Sequence, residues 1–500
     1  MTHLELSKDK KRGIRSLFLI QVFSTLSFSV LYSTLVLYTT KGLHLGADTA
    51  VAITGTFVAF NYFLHLLGGN IGGRLLSYRL LFCIGMLFQT FGCIILAMVN
   101  LESLYWGLAI FLTGCGLNVT CVNCMVTQLF EPHDKNRETA FLWNYSGMNI
   151  GFFIGFTLSG IFQINQSYTL LFLAAGLSNV ITIAITLINW RVLKDVGTHL
   201  SHFSRIKQLR LGIIGLIMII ALSFALRWLL NHSHFSNEFI IIVGCIMLIV
   251  IGGIAFQQHL KETGRKIWAF LILALASLIF WTLYQMAPMG LTLFYLHNVN
   301  HSIMGFTIPP QWLMNINTII IIIGGPTLAH FLKWMRSRGK MVGIPCQFSI
   351  SLFLIGIGFA ILPIGIHFAN EQGMSAFLWI IISYIFQSLG EILISPIGYA
   401  MIGQLIPSKL QGLMMGTWLM ITGVAATLSN YFSQMSFDKT QLNNPLQTNP
   451  SFSTSFNVLG WSAIGAGIIL VILFPFLKKL IQEKKPHEIP HLYNAPEDTP

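Results

Sequence analysis

Long apolar segments recur along this chain of 500 residues and restrict the folds that are open to it. Of its residues 54% are hydrophobic and only 9% are charged, whereas soluble domains carry about 25% charged residues. Segments such as 17–39, 80–99 and 211–230 are long enough to cross about 30 Å of hydrocarbon. The sequence therefore predicts an all-α integral membrane protein. The apolar run after the basic N-terminus is too long for a signal peptide and lacks a small-residue cleavage site, so no cleavable leader is expected.

The apolar runs predict fourteen transmembrane helices. Their expected spans are 14–40, 49–70, 79–99, 103–130, 139–163, 168–190, 211–231, 238–258, 266–296, 310–335, 343–368, 375–404, 409–435 and 456–480. Of the 29 Lys and Arg, all but Lys41, Arg227 and Lys439 fall in the two tails or in alternate connections. Because basic connections stay on the cytoplasmic side, we predict a multi-pass protein of the cell (inner) membrane with both termini in the cytoplasm.

The most basic connection, 191–210, separates six predicted helices from eight. Two six-helix halves that enclose a substrate cavity at the membrane midplane are the layout of major facilitator transporters. The extra pair of helices is expected to be an inserted hairpin at the periphery. The predicted units are a cytoplasmic tail (1–13), a six-helix bundle (14–190), a basic linker (191–210), the hairpin (211–258), a second six-helix bundle (259–480) and a cytoplasmic tail (481–500).

Glu391 is the only acidic residue in the interior of any of these apolar segments, since the others lie in the tails, in polar connections or at segment ends. A carboxylate at membrane depth costs roughly 2.5 kcal/mol or more, so such a residue indicates a functional site. Ser395 and Pro396 follow it by one helical turn. Because proline removes a backbone hydrogen bond and kinks a helix, Pro396 is expected to provide a kink beside the carboxylate, and with it a cavity and a hinge.

Other classes of function find little support in the residues. The net charge of +12 does not indicate nucleic acid, because the basic residues lie in short connections between apolar segments. Cys121 and Cys124 form a single CxxC in mid-helix without a second pair, which favours packing over metal or redox chemistry. The membrane region holds no HExxH, GxSxG or acidic pair, and the chain has no GxxxxGK[ST]. We therefore expect neither an enzyme nor a cofactor.

Four stretches resemble signatures of the proton-dependent oligopeptide transporters, a family within the major facilitator superfamily. They are FLWNYSGMNIG at 141–151, FWTLYQ at 280–285 with LTLF at 291–294, WLMNIN at 312–317, and QSLGEILISPIG at 387–398 with GLMMGTW at 412–418. The resemblance covers roughly 14–435. It implies a monomer in the lipid bilayer that takes up di- and tripeptides, or peptide-like compounds bearing an amine, together with a proton. Bacterial members of the family often carry an inserted helix pair.

The resemblance also implies a site for the proton and the substrate. The residues predicted to form it are Glu391, Asn149, Asn317, Tyr145, Tyr62, Gln285, Tyr284, Trp312, Trp418 and Ser395.

This chain departs from the family at the charges that surround that site. Gln21 and Thr25 stand where the first helix of the family carries a glutamate and an arginine, Val119 replaces the fourth-helix lysine and Gln285 the seventh-helix glutamate. Glu391 remains without a cationic partner, and desolvation penalises such a charge unless a proton or a cationic ligand neutralises it. Our first hypothesis is a symporter in which Glu391 carries the proton and binds the substrate's amine. Blocked or absent substrate carboxylates should then be tolerated.

Plainer interpretations stay open at this point. Glu391 could be a structural acid, and Asn149 and Asn317 could be interhelical hydrogen-bonding groups worth about 0.6 kcal/mol each. The aromatic residues could serve packing, and His65 is more typical of packing or of an interhelical hydrogen bond than of a proton site. On the same fold, a proton-independent facilitator or exchanger of a non-peptide small molecule and a non-transporting receptor are the alternative functions.

Overall fold

The computed structural model describes residues 7–130, 136–196, 198–258, 261–303, 305–338, 342–437 and 444–481. Nearly all of them are helical. In chain order the helices are α1 (Lys8–Leu37), α2 (Ala47–Ile71), α3 (Tyr78–Leu96), α4 (Leu101–Gln128), α5 (Asn136–Ile164), α6 (Tyr168–Ile188), α7 (Arg205–Asn231), α8 (Ser233–Gln257), α9 (Lys261–Tyr284), α10 (Thr292–Asn298), α11 (Gln311–Ser337), α12 (Ile344–His367), α13 (Phe377–Leu405), α14 (Ser408–Met435), α15 (Pro445–Ile472) and α16 (Phe474–Ile481).

The predicted all-α membrane fold is confirmed. Twelve helical segments within the described residues are long and apolar enough to cross a membrane, with α9 and α10 forming one of them through a wide turn at Ala287–Leu291. Helices α2 and α11, of 25 and 27 residues, supply the two further crossings of a fourteen-helix arrangement. Short β-strands connect the helices on one side: β1 (Val299–Asn300) pairs in parallel with β4 (Ser375–Ala376), and β2 (Ser302–Ile303) pairs antiparallel with β3 (Phe306–Thr307).

Glycines set the close spacing of helices inside each six-helix half. In the first half, a Cβ at Gly114 of α4 would lie 2.2 Å from the carbonyl oxygen of Gly85 in α3. In the second half, a Cβ at Gly356 of α12 would lie 2.8 Å from the carbonyl oxygen of Gly460 in α15. Since apolar lipid gives helices little hydrophobic reason to associate, such backbone contact supplies much of the packing energy.

The inserted hairpin α7–α8 lies along the seam between the halves. Its first helix bonds to the first half, where Ser223 Oγ lies 2.9 Å from Thr113 Oγ1 of α4. Its second helix contacts both halves: Thr56 of α2 donates to Asn237 at 3.3 Å, and a Cβ at Gly244 would lie 2.6 Å from Val424 of α14. The outer faces of both helices are apolar and exposed, as a lipid-facing surface requires.

Two predicted boundaries at the C-terminal end were wrong. The predicted helix spans leave 436–455 as a connection before a helix at 456, but α15 already begins at Pro445. Its first turns are polar because they bond to the protein: Asn298 Nδ2 donates to Thr448 Oγ1 at 2.7 Å and to Asn449 Oδ1 at 2.9 Å. The last predicted helix is also divided, since α16 begins separately at Phe474. The C-terminal tail from 482 onward lies outside the described residues.

Candidate functional site

A central cavity of about 320 Å³ lies between the two six-helix halves. Helices α1 to α5 contribute its walls on one side, and α9, α11, α13 and α14 contribute them on the other. The volume falls at the lower end of the range usual for small-molecule sites. Its lining residues include Gln21, Thr25, Tyr32, Tyr62, His65, Gln89, Asn118, Val119, Tyr145, Asn149, Tyr284, Asn317, Tyr384, Ser388, Glu391, Ser395, Tyr399 and Trp418.

Glu391 supplies the only carboxylate among the described residues that line the central cavity, and no Lys or Arg lies in that lining. Its Oε2 accepts a hydrogen bond of 2.6 Å from Asn317 Nδ2 of α11. The same amide lies 3.2 Å from Ser388 Oγ, and Tyr284 OH donates to Asn317 Oδ1 at 3.5 Å. Neutral donors thus orient the carboxylate, but they do not balance its charge. The group is suited to accept a proton or an ammonium group from a ligand.

The α13 face that carries Glu391 continues as a polar stripe. Tyr384, Ser388, Ser395 and Tyr399 all line the cavity with it. Their spacings of three and four residues place them on one side of a helix. The lining positions Tyr384 and Tyr399 were not predicted, although extending the helical period from Glu391 would have identified them.

A second hydrogen-bonded group joins the halves beside the cavity. Tyr32 OH of α1 donates to Gln285 Oε1 at 2.9 Å, and Gln285 Nε2 donates to Tyr62 OH of α2 at 3.4 Å. The two tyrosines line the cavity, whereas the buried Gln285 does not. Gln285 therefore connects two cavity walls through neutral hydrogen bonds.

The wall formed by the first half is polar but uncharged. His65 Nδ1, Gln89 Nε2 and Asn118 Oδ1 are buried and have no hydrogen-bond partner among the described residues. All three side chains line the cavity, next to Val119. This wall therefore presents polar side chains to the cavity, with no Lys or Arg among its described residues. Of these three residues, only His65 stands out in the sequence.

The structure brings most of the predicted site residues together. Glu391, Asn317, Tyr284, Tyr145, Tyr62 and Ser395 line the cavity, as does Asn149, whose Nδ2 donates to the carbonyl oxygen of Tyr145 at 3.0 Å. Trp418 also borders it, but only 2% of its surface is exposed. Its ring fills the space above Gly398, where a Cβ would lie 2.1 Å from it. Pro396 lies inside α13, which continues beyond it to Leu405, and the kink expected at this proline stays a prediction.

Trp312 lies outside the lining of the central cavity, at a contact between the halves. Its indole Nε1 donates to the carbonyl oxygen of Thr157 in α5 at 3.1 Å. Asn315 Nδ2 donates to Thr157 Oγ1 at 3.0 Å, and a Cβ at Gly160 would lie only 2.1 Å from the indole nitrogen. We call Thr157, Gly160, Trp312 and Asn315 the seal.

The seal and the cavity mouth lie toward opposite sides of the molecule. The seal lies near the end of α5 at Ile164. The start of α1 and the end of α13 at Leu405 lie on the other side of the molecule, which we call the terminal face. Near the terminal face, the cavity-lining side chains of Tyr145 and Tyr399 are 44% and 46% exposed. The structure is therefore closed at the seal and open toward the terminal face.

Similar proteins of known type support this assignment of the fold. The chain is 26% identical over 477 residues to the dipeptide and tripeptide permease B of Salmonella typhimurium, covering 95% of this chain and 96% of that protein. It is 27% identical over 476 residues to the dipeptide and tripeptide permease A of Proteus mirabilis, covering 94% and 96%.

A crystal structure of a POT peptide transporter variant in complex with alafosfalin has the same fold, with a TM-score of 0.82 at 22% identity over 94% of this chain and 96% of that one. A POT family transporter in complex with 5-aminolevulinic acid gives a TM-score of 0.80 at 20% identity over 93% and 96%. The family model for the POT family matches residues 79–449. This protein therefore belongs to the POT family, the proton-dependent oligopeptide transporters.

Proposed function

We propose that this protein is a secondary active transporter that takes up small peptides, or peptide-like compounds with an amine, by alternating access. The similar proteins described above are named dipeptide and tripeptide permeases. The cavity lies between two six-helix halves, closed at the seal and open toward the terminal face. Movement of one half against the other would expose the same cavity alternately on each side of the membrane. With cytoplasmic termini, the structure corresponds to the inward-facing state.

One observation carries the proposed mechanism: a single carboxylate, Glu391, in a cavity that is otherwise free of Asp, Glu, Lys and Arg among its described lining residues. A zwitterionic peptide adds no net charge to that cavity. If Glu391 takes up a proton before the halves close, the loaded cavity is neutral, which avoids the cost of a charge held in low dielectric. The remaining oxygen of the protonated carboxyl still accepts a hydrogen bond from the peptide's ammonium group.

The cavity wall opposite Glu391 determines how the other end of the substrate is recognised. In place of a cationic clamp it presents His65, Gln89 and Asn118 beside Val119. These groups hydrogen-bond a neutral amide, ester or hydroxyl, but they offer no charge to a carboxylate. We therefore expect the dipeptide Ala-Ala and its C-terminal amide to compete about equally for the site. A strong preference for the free carboxylate would contradict this assignment of the wall.

Uptake into proteoliposomes tests the coupling. An imposed gradient with an alkaline interior should drive accumulation of labelled Ala-Ala above the equilibrium level, because each peptide enters with a proton. Accumulation that is indifferent to the gradient would refute proton coupling, and absence of any uptake would favour a receptor.

The lone carboxylate also supports one alternative, exchange of a non-peptide cationic amine for a proton. A cation without a carboxylate neutralises Glu391 by itself, so that proton and cation would occupy the site in turn rather than together. The sign of the gradient separates the two modes. An acidic interior drives accumulation of a cationic amine by exchange, whereas it opposes uptake by symport.

A further inference from the structure

A second concave surface, of about 520 Å³, lies on the terminal face at the start of α1 and the end of α6. It shares no lining residue with the central cavity. Four cationic side chains of α1, those of Lys8, Lys11, Arg12 and Arg15, form its rim. The rest of its lining consists of the apolar residues Leu19, Ile185 and Ile188 and the polar residues Ser16 and Asn189. We call this surface the basic groove.

The four cations form one row along α1. Their spacing of three, one and three residues places them on a single side of the helix. Lys10 points elsewhere, since its ammonium group lies 5.5 Å from the centre of the Phe130 ring. Among the described residues, no carboxylate lies within ion-pair distance of any of the four cations. The groove thus concentrates positive charge that the described part of the chain does not neutralise.

Arg12 is held in place at the centre of the row. Its Nε donates to Asn189 Oδ1 at 2.7 Å, and its guanidinium also donates to the carbonyl oxygen of Ile188 at 3.2 Å. These bonds fasten α1 to the end of α6. A planar guanidinium oriented in this way suits a phosphate, which it can bind through two parallel hydrogen bonds.

Below the cations the same helix face becomes apolar. Leu19, one turn beyond Arg15, is 43% exposed, and Ile188 of α6 is 71% exposed. A basic flank that served topology alone would need charges near the membrane surface. It would not need them aligned on one helix face above an exposed apolar wall. Cations above hydrocarbon match the two parts of an anionic phospholipid, the phosphate and the acyl chains.

We propose that the basic groove binds an anionic phospholipid such as phosphatidylglycerol, with its phosphate at Lys11, Arg12 and Arg15 and an acyl chain along Leu19 and Ile188. Inorganic phosphate shares the headgroup chemistry but would make no use of the apolar wall. Lipid is the occupant that fits both.

Native mass spectrometry of the detergent-purified full chain, titrated with phosphatidylglycerol, tests the proposal. The double variant Lys11→Gln/Arg15→Gln should bind the lipid roughly 30-fold more weakly, about 2 kcal/mol for two cations near a membrane surface. The matched control Lys478→Gln/Lys479→Gln removes two cations from α16, outside the groove, and should bind as the unaltered chain does. Unchanged affinity in the first double variant would overturn the proposal.

Two further measurements distinguish a bound phospholipid from free phosphate and check that the variants are folded. Inorganic phosphate and glycerol 3-phosphate should not displace the lipid; displacement by either at equal concentration would show that no acyl chain is recognised and would overturn the lipid assignment. Melting temperature in phosphatidylcholine nanodiscs should be the same for all three proteins. In nanodiscs that also contain phosphatidylglycerol it should rise for the unaltered chain and the control only. An equal rise in the Lys11→Gln/Arg15→Gln variant would count against the groove.

Discussion

Replacing Glu391 by glutamine removes the one carboxylate among the described residues of the central cavity while keeping the size of the side chain. An amide cannot take up a proton near neutral pH, so proton-driven accumulation of peptide should be abolished. Asn317 lies 2.6 Å from the carboxylate and would still have an oxygen to bond. Since a buried charge in lipid is itself costly, the melting temperature should stay the same or rise.

The loss of affinity for an ammonium group that is expected in Glu391→Gln follows from the attraction between two unit charges. Two unit charges 4 Å apart attract by roughly 4 kcal/mol at an effective dielectric constant near 20. Desolvation of the ammonium group offsets about half of that gain. The remaining difference of about 2 kcal/mol corresponds to roughly 30-fold in Kd.

The assay compares the variant with a matched control in the same proteoliposomes. Glu371→Gln removes an exposed acid outside the central cavity and should leave uptake and affinity unchanged. Labelled Ala-Ala reports accumulation under an imposed pH gradient, and competition binding reports Kd. If Glu391→Gln accumulates peptide as well as the control does, Glu391 is not the proton carrier. If its Kd for Ala-Ala also matches, Glu391 does not bind the amine either.

Three other substitutions test the cavity, the seal and the surface. Val119→Lys places a cation on the wall opposite Glu391 and should make binding of Ala-Ala about tenfold tighter than that of its amide, a gain of about 1.4 kcal/mol measurable by competition. Gly160→Val should abolish uptake, because a Cβ at this position would lie 2.1 Å from the indole nitrogen of Trp312 and the seal could not close. Gly253→Val is the control for both expression and uptake, because a Cβ at position 253 would have no atom within 4 Å. Glu102→Gln breaks an exposed ion pair with α7 and should lower the free energy of unfolding by less than about 1 kcal/mol in a denaturation series, so a larger loss would contradict its placement at the surface.

Residue type and hydrophobic period were sufficient to predict the fold, and they single out Glu391, which lies in the wall of the central cavity. Glu391 stands out because charge is rare at membrane depth, and its partner Asn317 lies within a recognisable motif. The polar start of α15 could not be predicted in the same way. Its Thr448 and Asn449 look like loop residues in sequence, and only their bonds to Asn298, about 150 positions away, explain why they are helical.

The placement of Trp312 shows that a sequence motif does not predict which of its residues line the cavity. Trp312 and Asn317 belong to the same stretch, but residues five apart on a helix differ by about 140° in direction. Asn317 faces the central cavity with Met314 and Ile321, whereas Trp312 faces α5. Gln285 differs in the same way from its neighbour Tyr284, which lines the cavity. A motif predicts that residues matter together; the helical angle decides which of them can touch a ligand.

The neutral wall affects which ligands can bind together with the carboxylate of Glu391. In a site with charges at both ends, a zwitterion is selected by two ion pairs, and removing either end leaves a buried charge without a partner. Here the wall beside Val119 holds His65, Gln89 and Asn118 but no Lys or Arg among its described residues. A ligand that lacks a carboxylate therefore leaves no cation stranded in the cavity. The energetic cost that would exclude peptide amides and other amine-bearing compounds would then be absent, and in the proposed mechanism selectivity rests on Glu391 at one end and on the fit of neutral groups at the other.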